Sequence, residues 1–119
     1  MLIKSSFIVL ALFFSLTTSC YSQEYPNRIV KMMAGYPAGS SVDLYGRAIS
    51  SKLQENLKQP FIFENKVGAA GTVAAEATVR SVGDSYTLLN TASQIVINPF
   101  VQKLSFNTEK DLVPIAQTL

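Results

Sequence analysis

The chain has 119 residues, 48% hydrophobic and 15% charged, with 10 Lys and Arg against 8 Asp and Glu, no His and a single Cys. A net charge of +2 from scattered basic residues makes no nucleic-acid footprint. The lack of His removes Ser-His-Asp and Cys-His catalytic pairs and imidazole metal ligands, and one Cys excludes an internal disulfide framework.

Residues 1–22 read as an export signal. Lys4 supplies the positive start, and the apolar run over 7–16, FIVLALFFSL, suits a signal h-region but is too short to span a bilayer. The small, polar stretch that follows places a cleavage site after Ser22. Cys20 carries a second reading: TTSC has the look of a lipobox whose Cys is acylated, although Thr17 stands where Leu is usual, and one acyl chain anchors weakly.

Residues 28–33, RIVKMM, have the continuous apolar character of a buried parallel strand. The bend after them, AGYPAGSSVD over 34–43, carries Pro37 and Gly39 for a tight turn. Ser40 precedes Asp43 by three residues, the spacing of a capping box. A helix is predicted over 42–57, with Val42, Tyr45, Ile49, Leu53 and Leu57 as one apolar stripe, Arg47, Lys52, Gln54, Glu55 and Lys58 covering the remainder, and Pro60 as the stop. Such a strand, bend and helix put backbone N–H groups and a positive helix end at the strand's carboxyl tip, where α/β proteins hold anions; a plain capped turn is the alternative. FIFE over 61–64 is a second strand. The loop NKVGAAGT over 65–72 contains Gly68 and Gly71, and Thr72 is placed to cap a helix over 73–82. Gly83-Asp84-Ser85 is a turn, and YTLL over 86–89 is a third strand. Thr91, Ala92 and Ser93 open a short helical piece through Ile97 that Asn98-Pro99 closes. Residues 103–111 read as polar and irregular, and 112–119 as the start of another extended segment.

This β-α-β-α-β order predicts an α/β fold, a parallel sheet with flanking helices. Loops 36–41, 65–72 and 90–93 then share one edge of the sheet, a binding-site pattern of low specificity. Gly68–Gly71 is G-x-x-G, not a dinucleotide fingerprint, and no P-loop occurs. Ser40 and Ser41 lack a nucleophile elbow and a base. Asp43 is either a helix-cap partner or a ligand-ordering carboxylate. Lys66 either attracts an anion or is an exposed loop side chain. Tyr36 either walls a ligand pocket or packs on the sheet. Asn65 and Asn98 are either turn residues or ligand donors.

The blocks YPNRIVKMMAGYPAGSSVD, ENKVGAAGTVAAEATVRSVGDSYTLL, TASQIVINPF and EKDLVPIAQTL, in this order after an export signal, resemble the Bug family of extracytoplasmic solute receptors of tripartite tricarboxylate transporters. The resemblance runs from Tyr25 to Leu119. It implies a type II periplasmic-binding-protein fold of two α/β lobes, of which residues 23–119 supply the first segment of lobe one. It also implies a periplasmic receptor rather than an enzyme, with no cofactor, no nucleic acid, a small organic carboxylate as ligand and the transporter's membrane components as partners. The ligand-binding residues it implies are Tyr36, Ala38, Gly39, Ser40, Ser41 and Asp43 in the first loop, Asn65, Gly68 and Gly71 in the second, and Thr91, Ser93 and Asn98 in the third. Two departures stand out. The family's F-P-P-G-G is Tyr36-Pro37-Ala38-Gly39-Ser40, where Ser40 narrows the backbone's approach to a carboxylate, and its D-G-Y turn is Asp84-Ser85-Tyr86. Family members are longer, so a truncated copy is expected. The alternatives are a degenerate product without binding activity and a small α/β enzyme domain, which would need a base or a phosphate loop.

Overall fold

The first apolar run forms β1 (Val30–Ala34), and the computed structural model places it between β2 (Phe61–Asn65) and β3 (Thr87–Asn90). Residues 24–81 and 83–118 are described; the export signal, its cleavage site and the Cys20 reading lie outside them. Both ladders are parallel, so the predicted architecture holds. A strand paired on both sides has no hydrogen-bonding edge to solvate, which suits an apolar run. Val30 and Ala34 are fully buried, and Met32 and Met33 nearly so. Burying a Val or Met side chain contributes about 1.5–3 kcal/mol. In register, Ala34 pairs with Asn65 on one side and Asn90 on the other. The sheet's carboxyl edge is therefore an Asn-Ala-Asn row.

The helices are α1 (Ser41–Leu57), α2 (Thr72–Arg80), α3 (Gln94–Val101) and α4 (Thr108–Asp111). α1 lies against β1 and β2, and α2 against β1 and β3. The face α1 presents differs from the predicted stripe. Its buried residues are Asp43, Gly46 and Ser50; of the predicted stripe, Val42, Ile49 and Leu53 are half-buried, while Tyr45 and Leu57 are exposed. The reason is close approach. A side chain on Gly46 would collide with the Phe63 ring and the Asn90 amide, and the Ser50 hydroxyl sits 3.4 Å from Met32 Sδ. Small residues at the centre let the helix sit down on the sheet, and the larger apolar residues are pushed to its flanks.

Four further expectations are corrected. Thr72 does not cap α2; it is the first helical residue, and Gly71 precedes it without a side-chain cap. α3 does not close at Asn98-Pro99 but runs to Val101. Pro99 removes one helical bond, the one to Ile95, and the next turn is completed by the Gln102 N–H on the Asn98 carbonyl at 3.0 Å. The stretch read as irregular contains α4, capped by the Asn107 side chain on the Glu109 and Lys110 N–H groups, both at 3.0 Å. Residues 112–118 pair with no strand.

At the opposite edge, residues 25–28 are tied to the turn before β3. The Tyr25 hydroxyl donates to the Ser85 carbonyl at 2.7 Å, the Tyr86 hydroxyl donates to Asn27 Oδ1 at 2.8 Å, and the Arg28 guanidinium lies 4.1 Å from the Tyr86 ring centre. Burial, with the neighbouring Tyr86 and Asp84, pushes the Tyr25 phenol up.

Candidate functional site

The loops after β1, β2 and β3 all leave the sheet at its carboxyl edge, as the parallel order requires. Tyr36 is where they meet. Its carbonyl accepts from Asn65 Nδ2 at 3.0 Å, its ring lies against Gly71, and its hydroxyl reaches Gln94 Oε1 at 3.5 Å. Gly35, next to it, touches the Gly71 backbone so closely that no side chain fits there. The first and second loops are thus packed backbone to backbone.

The two Asn residues flanking Ala34 both hold the first turn of α1. Asn65 Nδ2 donates to Asp43 Oδ1 at 2.8 Å, and Asn90 Nδ2 donates to the Val42 carbonyl at 2.8 Å. Within that turn the Ser40 side chain accepts from the Asp43 N–H at 3.3 Å, a cap that typically contributes about 1 kcal/mol. The Asp43 carboxylate reaches back to the Gly39 N–H at 2.9 Å, one residue beyond the usual capping-box partner. Arg47 Nε donates to both its oxygens, at 3.0 and 3.1 Å, and Arg47 Nη2 donates to Asn65 Oδ1 at 2.9 Å. Asp43 is 2% exposed. The Arg47 guanidinium first, then the Gly39 N–H and the Asn65 amide, pull its carboxyl down to about 2. The carboxylate therefore serves the loop and is neutralised in place. The N–H groups of Ser41 and Val42 remain without an intrahelical partner at this helix end.

The second loop has an uncommon backbone. Ala69 (φ 44), Ala70 (φ 51) and Gly71 (φ 90) are successive left-handed residues after Gly68 (φ 153). For the two Ala this costs roughly 1–2 kcal/mol each. The Gly71 N–H closes the turn on the Gly68 carbonyl at 3.0 Å.

Of the residues expected to bind a ligand, Tyr36, Gly39, Ser40, Asp43, Asn65 and Gly71 are drawn into this one network, with Ser41 at its exposed helix end and Ala38 exposed beside it. Thr91 is half-buried and Ser93, which precedes α3, makes no side-chain cap bond. Asn98 is set apart: it is 3% exposed, and its amide donates to the Ala70 carbonyl and to Thr72 Oγ1, both at 3.1 Å. Three contributors escaped the sequence reading, namely Arg47, Gln94 and Gln102. The Asp43/Arg47 spacing of four on a helix was the available signal for the first, and Asn98/Gln102, polar residues four apart bracketing apolar ones, for the last.

A parallel α/β sheet with its loops gathered at the carboxyl edge, offering hydroxyls and amides, is the arrangement in which α/β proteins commonly hold ligands. Residues 46–119 match the tripartite tricarboxylate transporter family receptor, TctC, and the chain belongs to that family. It is 40% identical over 97 residues to a UPF0065 protein of Bordetella bronchiseptica and 33% identical over 95 residues to BugT of Bordetella pertussis. These matches take in 80% and 77% of this chain and 29% of each relative. Among solved structures it is similar to MatC of Rhodopseudomonas palustris with bound malate, with a TM-score of 0.62, 27% identity, and coverage of 73% of this chain and 30% of that one. The chain spans less than a third of the length of the relatives it matches.

Proposed function

We propose that this chain contributes one wall of the ligand cleft of an extracytoplasmic solute receptor that captures small organic carboxylates for a tripartite tricarboxylate transporter. The observation that carries the reading is the meeting of the second loop and the start of α3 at Tyr36 of the first loop, beside a helix N-terminus whose own carboxylate is already neutralised. An anion arriving there meets N–H groups and hydroxyls instead of a repelling charge. The family assignment and the malate bound to MatC support the ligand class. Ser40, Ser41 and the N–H groups of Ala69 and Ala70 are the donors, and the partners are the transporter's membrane components. The receptor reaches its site by export on residues 1–22, and N-terminal sequencing of the secreted protein should begin near residue 23; an intact Met1 in the cytoplasm would refute export.

Calorimetry tests the binding. Receptors of this kind gain affinity when a second lobe closes and excludes water. The 119-residue chain alone should bind malate, succinate or citrate no tighter than millimolar. The same chain fused to the remaining length of BugT should bind in the micromolar range, and Ser41→Ala in that fusion should weaken binding about tenfold. A fusion that folds and binds none of these acids would sink the reading.

A further inference from the structure

We infer that Asn98 and Gln102 are positioning residues that hold the 68–71 turn in its left-handed form and so aim its N–H groups, a role that rests on the carboxylate reading given above. The turn is costly on its own, since two of its residues are Ala with φ of 44 and 51. It persists because something outside fixes it. Asn98 Nδ2 donates to the Ala70 carbonyl at 3.1 Å and to Thr72 Oγ1 at 3.1 Å; Gln102 Nε2 donates to Thr72 Oγ1 at 2.7 Å and approaches the Ala69 carbonyl at 3.5 Å. The two amides therefore grip the carbonyls of both strained residues and the first side chain of α2.

The build of α3 supports the assignment. This helix is inside out: its buried residue is Asn98, while Val96, Ile97, Phe100 and Val101 are exposed. A helix seated through an amide gains little from burial, and a fully enclosed amide is costly unless each of its hydrogens is matched. Here both are matched, and both to the second loop. In any helical turn the carbonyls point to one end and the N–H groups to the other. Gripping the Ala69 and Ala70 carbonyls from the α3 side thus turns the Ala69 and Ala70 N–H groups away from α3. Asn98 acts on a ligand through the turn and does not touch it, because neither of its amide hydrogens is left over.

The test compares wild type with Gln102→Met and Asn98→Asp in the ¹⁵N-labelled 119-residue chain. Gln102→Met keeps length and removes both donors at a half-buried position, so the fold survives even where Asn98→Asp does not. In the ligand-free protein, the amide resonances of residues 68–71 should move and their hydrogen exchange should quicken about tenfold in Gln102→Met. Titration with malate should shift the same amides in wild type and need about tenfold more malate in Gln102→Met. Unchanged turn amides in ligand-free Gln102→Met would overturn the inference, as would a displaced turn with undiminished malate response. If the variant displaces the turn but the folded BugT fusion binds no malate in calorimetry, the clasp stands and the carboxylate reading falls.

Discussion

Asp43 commits its whole carboxylate to the protein, and this fixes how the chain responds to acid. Its folded pKa, about 2, lies below the ordinary 3.8, so the stabilisation it provides is fully present above the ordinary value and is lost as pH falls from 3.8 toward 2. Asp43→Asn should lower the unfolding midpoint at neutral pH, where Arg47 loses its partner, and the gap to wild type should close across that acid window. A gap that stays constant down to pH 2 would show that the carboxylate's charge is not what matters. Gly35 is a second single-residue control point. Gly35→Ala forces the first two loops apart where Gly71 touches, and should destabilise by about 1–3 kcal/mol in denaturant titration. Of these residues the sequence disclosed Asp43 as a cap partner through its spacing from Ser40. It did not disclose Asn65 as the third member, because only the register of β1 on β2 brings a residue 22 positions away into contact.

At the scale of elements, the strands were legible because each is an apolar run bounded by turn residues, and the observed limits differ by one or two residues. The inward face of α1 was not legible. Periodicity marks the large apolar residues, whereas this helix approaches the sheet through Asp43, Gly46 and Ser50, and a search for bulk passes over small residues. Two substitutions on α1 separate propensity from packing. Gly46→Ala gains about 1 kcal/mol of helix propensity but must displace Phe63 and the Asn90 amide. The collision should win, with net destabilisation by about 1–3 kcal/mol; net stabilisation would mean the helix can lift away freely. Lys58 ends α1 with φ 55, its N–H on the Gln54 carbonyl at 3.0 Å. Glycine is the usual residue in that left-handed position, so Lys58→Gly should stabilise by about 0.5–1 kcal/mol in thermal or denaturant unfolding. The continuation of α3 past Pro99 was also hidden, since what holds Asn98 in place lies on the second loop.

For the whole molecule, the balance between buried and exposed apolar groups sets behaviour. The buried apolar residues among those described are Val30, Met32, Met33, Ala34, Phe61, Ala74 and Ala75, three of them Ala. Against them, Phe100 is 87% exposed, Val113 83% and Ile115 79%. Small cores are marginal, and the exposed ion pairs Lys52–Glu55 and Arg80–Glu76 add at most about 1 kcal/mol each. The 119-residue chain should therefore bind a hydrophobic dye, unfold at low denaturant and self-associate with rising concentration in sedimentation. A dye-silent monomer with a steep, late transition would contradict this. The family was legible from the order of whole sequence blocks and is shown by the match over 46–119.

The sheet order β2-β1-β3 also permits assembly in the order of synthesis. The strand with two neighbours is the first to be synthesised, and both neighbours come later in the chain. β2 can join one flank and β3 the other, so the sheet can grow outward with no strand wedged between two already joined. Loss of β3 would leave a two-stranded remnant, whereas loss of residues 30–34 would leave β2 and β3 with nothing in common.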